Sequence, residues 1–218
     1  MSRVRRSLPL LLLCACATSG AATEGSTAPT AGSAAAAAAG PSSALDAEII
    51  ETAATATTVH KMKLRVDGDG NVVKLAVYHD AADSVPQAVR DLAAERFAGS
   101  PVTHYETELY ADHGRVYEVE VDKGGVACEL AASPDGTELY TECHVDPASL
   151  SDAVKATVES VAPGGKILEA ETKKGPSLDE LTVEVEVGGQ ELYLRLASDG
   201  SLIQALRRIP AVIEVPLP

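Results

Sequence analysis

The chain has 218 residues, 3% of them aromatic, and carries 32 acidic against 18 basic side chains for a net charge of −14. So acidic a body repels a phosphate backbone, which argues against nucleic acid as a partner. Its length allows one domain or two small ones, and its four cysteines fall as two pairs, one near each end of the first two-thirds of the chain.

The opening "MSRVRRSLPLLLLCACATSG" places Arg3, Arg5 and Arg6 before a short apolar run, Leu8 to Ala15. That run is too short to cross a bilayer and suits a secretion signal over residues 1–15. Leu13-Cys14-Ala15-Cys16 resembles a bacterial lipobox, with Cys16 as the lipid-attachment residue. Residues 16–45 are then the lipidated cysteine and a flexible tether, rich in Ala, Gly, Ser and Thr, whose short alanine run cannot hold a helix alone. The expected location is the cell envelope, lipid-anchored, at the outer membrane facing the periplasm.

Residues 46–82 read as half of a unit, a β-hairpin turning at Asp69-Gly70, with a Thr-rich lead-in over 50–58 read as a strand, helix being the open alternative over 46–58. Residues 84–107, "SVPQAVRDLAAERFAGSPVTHYET", align without a gap on residues 149–172, "SLSDAVKATVESVAPGGKILEAET". Each begins at a serine that can cap a helix, and Ser84 with Gln87 suits a capping box. Val85, Ala88, Val89, Leu92, Ala93 and Phe97 form one helical stripe; Leu150, Ala153, Val154, Thr157, Val158 and Val161 form the other. After each helix the period drops to two. "YEVEVDKGG" (117–125) and "VEVEVGG" (183–189) are strands entering Gly-Gly turns, and Asp135-Gly136 and Asp199-Gly200 mark two further hairpins. The expected fold class is α+β: tandem helix-plus-four-strand antiparallel repeats over 83–146 and 147–218, the second with a C-terminal tail, with helices packed on one face of the sheet.

A helix preceded by proline, a glycine break and strands of the form "YEVEV…GG…DG" resemble the PepSY-like family, also described as β-lactamase-inhibitor-like. The resemblance implies an extracytoplasmic module that binds or inhibits another envelope protein and has no catalysis of its own. The alternative is a structural or sensing envelope component without a single dedicated partner.

With two-residue Asp-Gly loops, Val66 lies opposite Val73, Leu130 opposite Thr141, Leu196 opposite Ile203 and His60 opposite His79. Directly opposed residues share a face. The inner face, under the helices, then holds Leu64, Val66, Leu75, Val119, Leu130, Val185, Leu194, Leu196 and Ile203. Cys128 falls opposite Cys143, within disulfide reach, and export permits the bond; two buried thiols are the other reading. The outer face collects tyrosines and carboxylates. It is either a solvated sheet face or a surface for an envelope protein, with Tyr110, Glu118, Glu120, Tyr140, Glu142, Glu184, Glu186 and Tyr193 as contacts. "DGDGN" (67–71) is a turn rather than a calcium loop, since Val72 and Tyr78 stand where an EF-hand needs Gly and Glu. The five histidines show no ligand or triad spacing. No metal, cofactor or catalytic residue is expected, and the chain is expected not to be an enzyme.

Overall fold

Each described strand pairs with its neighbours in the chain, so the first and last form the two edges of the sheet. A computed structural model describes residues 44–55, 59–212 and 214; the signal segment, Cys16 and the tether up to residue 43 lie outside them, while Ala44 and Leu45, expected to end the tether, open a helix. The strands are β1 (Val59–Val66), β2 (Val72–His79), β3 (Val102–Tyr110), β4 (Gly114–Asp122), β5 (Ala127–Ala132), β6 (Glu138–His144), β7 (Lys166–Gly175), β8 (Leu178–Val187), β9 (Gln190–Ala197) and β10 (Leu202–Arg208). They form one ten-stranded antiparallel sheet in the order β1 to β10. The helices are α1 (Ala44–Thr55), α2 (Gln87–Arg96) and α3 (Asp152–Val161).

The fold class is therefore corrected from α+β to mainly β. What overturns the tandem helix-plus-four-strand reading is the continuity of the sheet. Thr141–His144 of β6 pair with Glu171–Lys174 of β7, so the two similar segments share one curled sheet with three short helices beside it. The lead-in is corrected too, because α1 runs through to Thr55 where a strand was read.

The hairpins differ from expectation in a way that repeats three times. The Gly70 amide donates to the Asp67 carbonyl and the Asp67 amide to that of Asn71; Gly136 and Ser133 do the same with Ser133 and Thr137, and Gly200 and Ala197 with Ala197 and Ser201. These are three-residue loops ending on a left-handed glycine, not two-residue turns. Each is followed by one extra residue in the returning strand. Val66 faces Val72 and Arg65 faces Lys74, which skips Val73. Leu139 and Ile203 are skipped in the same way. The loop and the bulge offset one another, so the expected register returns deeper in each hairpin and Cys128 does face Cys143. At the far end of the first hairpin a further irregularity sets Val59, not His60, opposite His79.

The helices cover one face. Val85, Val89, Ala93 and Phe97 pack on Val119, Val121, Cys128, Leu130 and Ala132. Leu150, Val154, Val158 and Ala162 pack on Ala170, Val183, Val185, Leu194 and Leu196. Leu45 of α1 lies on Leu75 and Val77, and Glu48 pairs with Arg115 at 3.1 Å. Burying each Leu or Val here contributes about 1.5–3 kcal/mol. Two loop glycines let the helices come this close. A side chain at Gly136 would meet the Ala88 carbonyl at 3.0 Å, and one at Gly200 the Ala153 backbone at 2.9 Å.

Some core and cap assignments are revised. Leu64, Val66 and Ile203, expected inside, are 39%, 55% and 46% exposed, because they sit beside the bulged ends of edge hairpins. The Ser84–Gln87 capping box is absent: Pro86 starts α2 without a side-chain cap, and the Ser84 hydroxyl donates to Ala81. In α3 the cap is Ser151, whose hydroxyl accepts from the Val154 amide at 3.3 Å.

Candidate functional site

The face opposite the helices is built from the other half of the strand alternation. It was read as open to solvent or a partner, and that exposure is corrected here. Glu106, Glu108, Glu118 and Glu142 are 3–5% exposed and Tyr140 is 9% exposed. The cause is curvature. The sheet bends until Lys61 of β1 is within electrostatic reach of Glu184 in β8 and Arg208 in β10, and Tyr193 of β9 within reach of Lys74 and Arg65. Long side chains from both flanks thus roof the middle strands without any helix.

Pairing keeps this polar interior together. Lys74 bridges to Glu108, and Lys173 to Glu142 at 2.7 Å. Arg195 holds Glu180 at 2.8 Å, while Arg208 reaches both Glu184 and Glu191. The Tyr140 hydroxyl donates to Glu118 at 2.5 Å and the Tyr110 hydroxyl to Glu108 at 2.6 Å. Each of the four tyrosines on this face also carries a cation over its ring: Lys61 and Lys63 over Tyr78, Lys74 over Tyr110, Lys173 over Tyr140 and Arg208 over Tyr193. Such contacts gain strength when desolvated.

The acids still outnumber what these cations neutralise. Burial, then Glu118 and Glu108, push the Glu106 carboxyl well above its ordinary range. Burial and Glu108 raise that of Glu118 to about 7, against the pull of Lys173 and Lys74. Burial and the neighbouring carboxylates push Glu129 up as well. Glu108 goes the other way: burial opposes its charge, but the Lys74 ammonium prevails and holds it below the usual range. Between Tyr78, His104, Glu106, Glu118, Glu120 and Glu129 lies a cavity of about 10 Å³, the size of one water.

The expected contact residues thus divide. Glu118, Tyr140 and Glu142 are buried in the middle of the curl. Tyr110, Glu184 and Tyr193 are half-buried and engaged by Glu108, Arg208 and Arg208 respectively. Glu120, at the rim, accepts from the Thr103 hydroxyl, and Glu186 is exposed at the β8–β9 turn, where it accepts from the Gly189 amide. The expected disulfide is present: Cys128 and Cys143 are bonded with their Cα atoms 4.1 Å apart. Residue spacing missed Lys173, Thr182, His144, Glu169 and Glu171. The first pairs with Glu142; Thr182 donates to Glu142 at 3.0 Å and to Glu171 at 2.9 Å. His144 Nε2 lies 2.8 Å from Glu169 and 2.9 Å from Glu171. Only the alternation of Glu169, Glu171 and Lys173 within β7 signalled that they share a face.

No protein-family model and no curated protein matches the chain. Among solved structures it is similar to a BLIP-like protein from Bacteroides fragilis, with 16% identity over 59% of this chain and 89% of that one at a TM-score of 0.45. It is similar to a candidate periplasmic protein from Bacteroides eggerthii, with 11% identity over 56% and 88% of the two chains at 0.46. It is similar also to a DUF2874 family protein from Bacteroides ovatus, with 14% identity over 56% and 87% at 0.44.

Proposed function

We propose that the chain is a lipid-anchored, extracytoplasmic PepSY-like module, held through Cys16 at the outer membrane facing the periplasm, that binds or inhibits another envelope protein and performs no catalysis of its own. The observation that carries this reading is the crowding of carboxylates on the concave face, where, beside burial, Glu118 raises Glu106 and Glu129, and Glu108 raises Glu118. A basic segment laid along the rim relieves that crowding, and complementary charge sets encounter rate and specificity more than affinity. The accessible acids for it are Glu120 and Glu186, with Glu184, Tyr110 and Tyr193 behind them.

The test is site-specific photo-crosslinking in the native envelope. Crosslinkers at Glu120 and Glu186 are compared with crosslinkers at Arg90 and Lys155 on the helix side. Adducts to one common protein from the concave rim support the reading. Adducts from the helix side alone overturn it. Loss of membrane partitioning in Cys16→Ser tests the anchor separately. The second reading, a structural or sensing component, is favoured by the Lys74–Glu108 and Lys173–Glu142 pairs, which already satisfy much of the concave centre. It predicts adducts from neither face.

A further inference from the structure

We infer that His144, Glu169 and Glu171 form a binding site for one divalent transition-metal cation, of the zinc type, at the rim of the concave face. The inference does not rest on the partner-binding reading.

The three side chains come from adjacent strands. His144 on β6 is the direct cross-strand partner of Glu171 on β7, and Glu169 lies two residues before Glu171. The imidazole Nε2 and the two carboxylates each offer one ligand atom, all within 4.8 Å of one another. Nitrogen and carboxylate oxygen together suit zinc and its first-row neighbours.

Charge points the same way. Several acids around this cluster have a basic partner: Glu142 has Lys173, Glu180 has Arg195 and Glu184 has Arg208. Among the described residues, Glu169 and Glu171 are paired with no lysine or arginine, and share His144 alone. One Nε2–H cannot satisfy two carboxylates at once, whereas a single cation can contact both and the imidazole nitrogen as well.

Geometry and support also fit. At zinc–ligand bonds of about 2.0–2.2 Å in a tetrahedral arrangement, ligand atoms stand roughly 3.4 Å apart. The nitrogen–oxygen separations of 2.8 and 2.9 Å therefore need to open by only a fraction of an ångström. The second oxygen of Glu171 accepts from Thr182, whose hydroxyl is also shared with Glu142, and such outer partners orient a ligating carboxylate. The side chains of His144 and Glu169 are 41% and 35% exposed, which leaves a route for the ion and a fourth position for water.

The test titrates zinc chloride into the oxidised full chain after chelator treatment, with free thiols alkylated so that Cys14 and Cys16 do not compete. Calorimetry gives stoichiometry and affinity, and the histidine ring nitrogen resonances identify the ligand. One-site saturation is expected, with the His144 ring signals perturbed. His144→Ala and Glu169→Gln each weaken binding at least roughly tenfold, whereas His113→Ala, which removes the exposed His113–Asp112 contact, changes nothing. Both rim variants alter exposed groups, and circular dichroism checks that they fold. Absence of saturable binding at micromolar zinc, wild-type affinity in both rim variants, or loss of binding in His113→Ala overturns the inference.

Discussion

Leu130 and Glu129 are neighbours on β5, yet they face different surroundings. On the helix side of the sheet, Leu130, Val183, Leu194 and Leu196 have no exposure and lie within the apolar clusters under α2 and α3. On the other side, alternate residues of the same strands place Glu106, Glu108, Glu118 and Glu142 almost as deep, held by lysines, tyrosine hydroxyls and a threonine. The first face loses solvent to helices brought to it. The second loses it because the sheet curls and its own long side chains close over the middle. Apolar burial tolerates small shifts, whereas a buried charge needs each partner in place. The concave face is consequently the more sensitive half of the molecule.

The largest effect is expected where that dependence is broken at one partner. Lys173→Met leaves Glu142 buried without its ammonium and strips the cation from the Tyr140 ring, a loss of roughly 3–5 kcal/mol in chemical denaturation. Adding Glu142→Gln should recover a large part of it. If the single variant unfolds at the wild-type midpoint, the concave face is solvated and the contrast between the two faces fails. On the helix side, Leu130→Ala should cost about 2–5 kcal/mol, and no second substitution by a polar residue should restore it. Next comes the bridge that joins β5 to β6 beneath α2. Its removal in Cys128→Ser with Cys143→Ser should lower stability by about 3 kcal/mol, and peptide mapping without reductant should recover the linked pair. Tyr140→Phe removes a hydroxyl donated to a carboxylate and should cost about 1.5–3 kcal/mol.

The last test is one of pH, and its sign separates the faces. The carboxyls of Glu106 and Glu118 are raised in the folded state, Glu118 to about 7 from an ordinary 4.5. A raised acid binds its proton more tightly when folded. Its penalty is absent below pH 4.5, sets in as pH rises and is complete above about 7. Glu108, held low by Lys74 after burial is overcome, contributes in the opposite sense: its stabilisation is present above 4.5 and is lost as pH falls. Stability should therefore be higher near pH 5 than near pH 8, with a decline again in stronger acid. Glu118→Gln should flatten the slope between them, and a rising slope over that interval would show that the carboxylates are not crowded. The helix face, having no such groups, should leave no trace in the profile.

Much of this was legible in the residues. The period-two runs, the Asp-Gly turns and the stripes of α2 and α3 are local signals, and they located the ten strands' principal hairpins and both of these helices. The Cys128–Cys143 pair could be read because both lie in one hairpin, where the turn sets the register and the bulge at Leu139 restored what the longer loop had displaced. The lead-in was misread because the Thr-rich segment resembles a strand until Leu45 and its neighbours find the apolar floor of β2. The outer face was misread for a related reason: alternation tells which residues share a face, but not whether that face meets water.

The amino-acid order alone determined which residues turn, which alternate and which stand together on one side of the sheet, since those properties depend on contacts a few positions apart. Tertiary structure decided the rest. β6 and β7 are joined through α3 rather than a tight turn, so the pairing of Thr141–His144 with Glu171–Lys174 depends on how that helix docks. The twist summed over ten strands then sets the curl that brings Lys61 toward Glu184. Neither the buried carboxylates nor the meeting of His144 with Glu169 and Glu171 exists until those long-range terms are settled, because each depends on backbone geometry accumulated across strands rather than on any one segment.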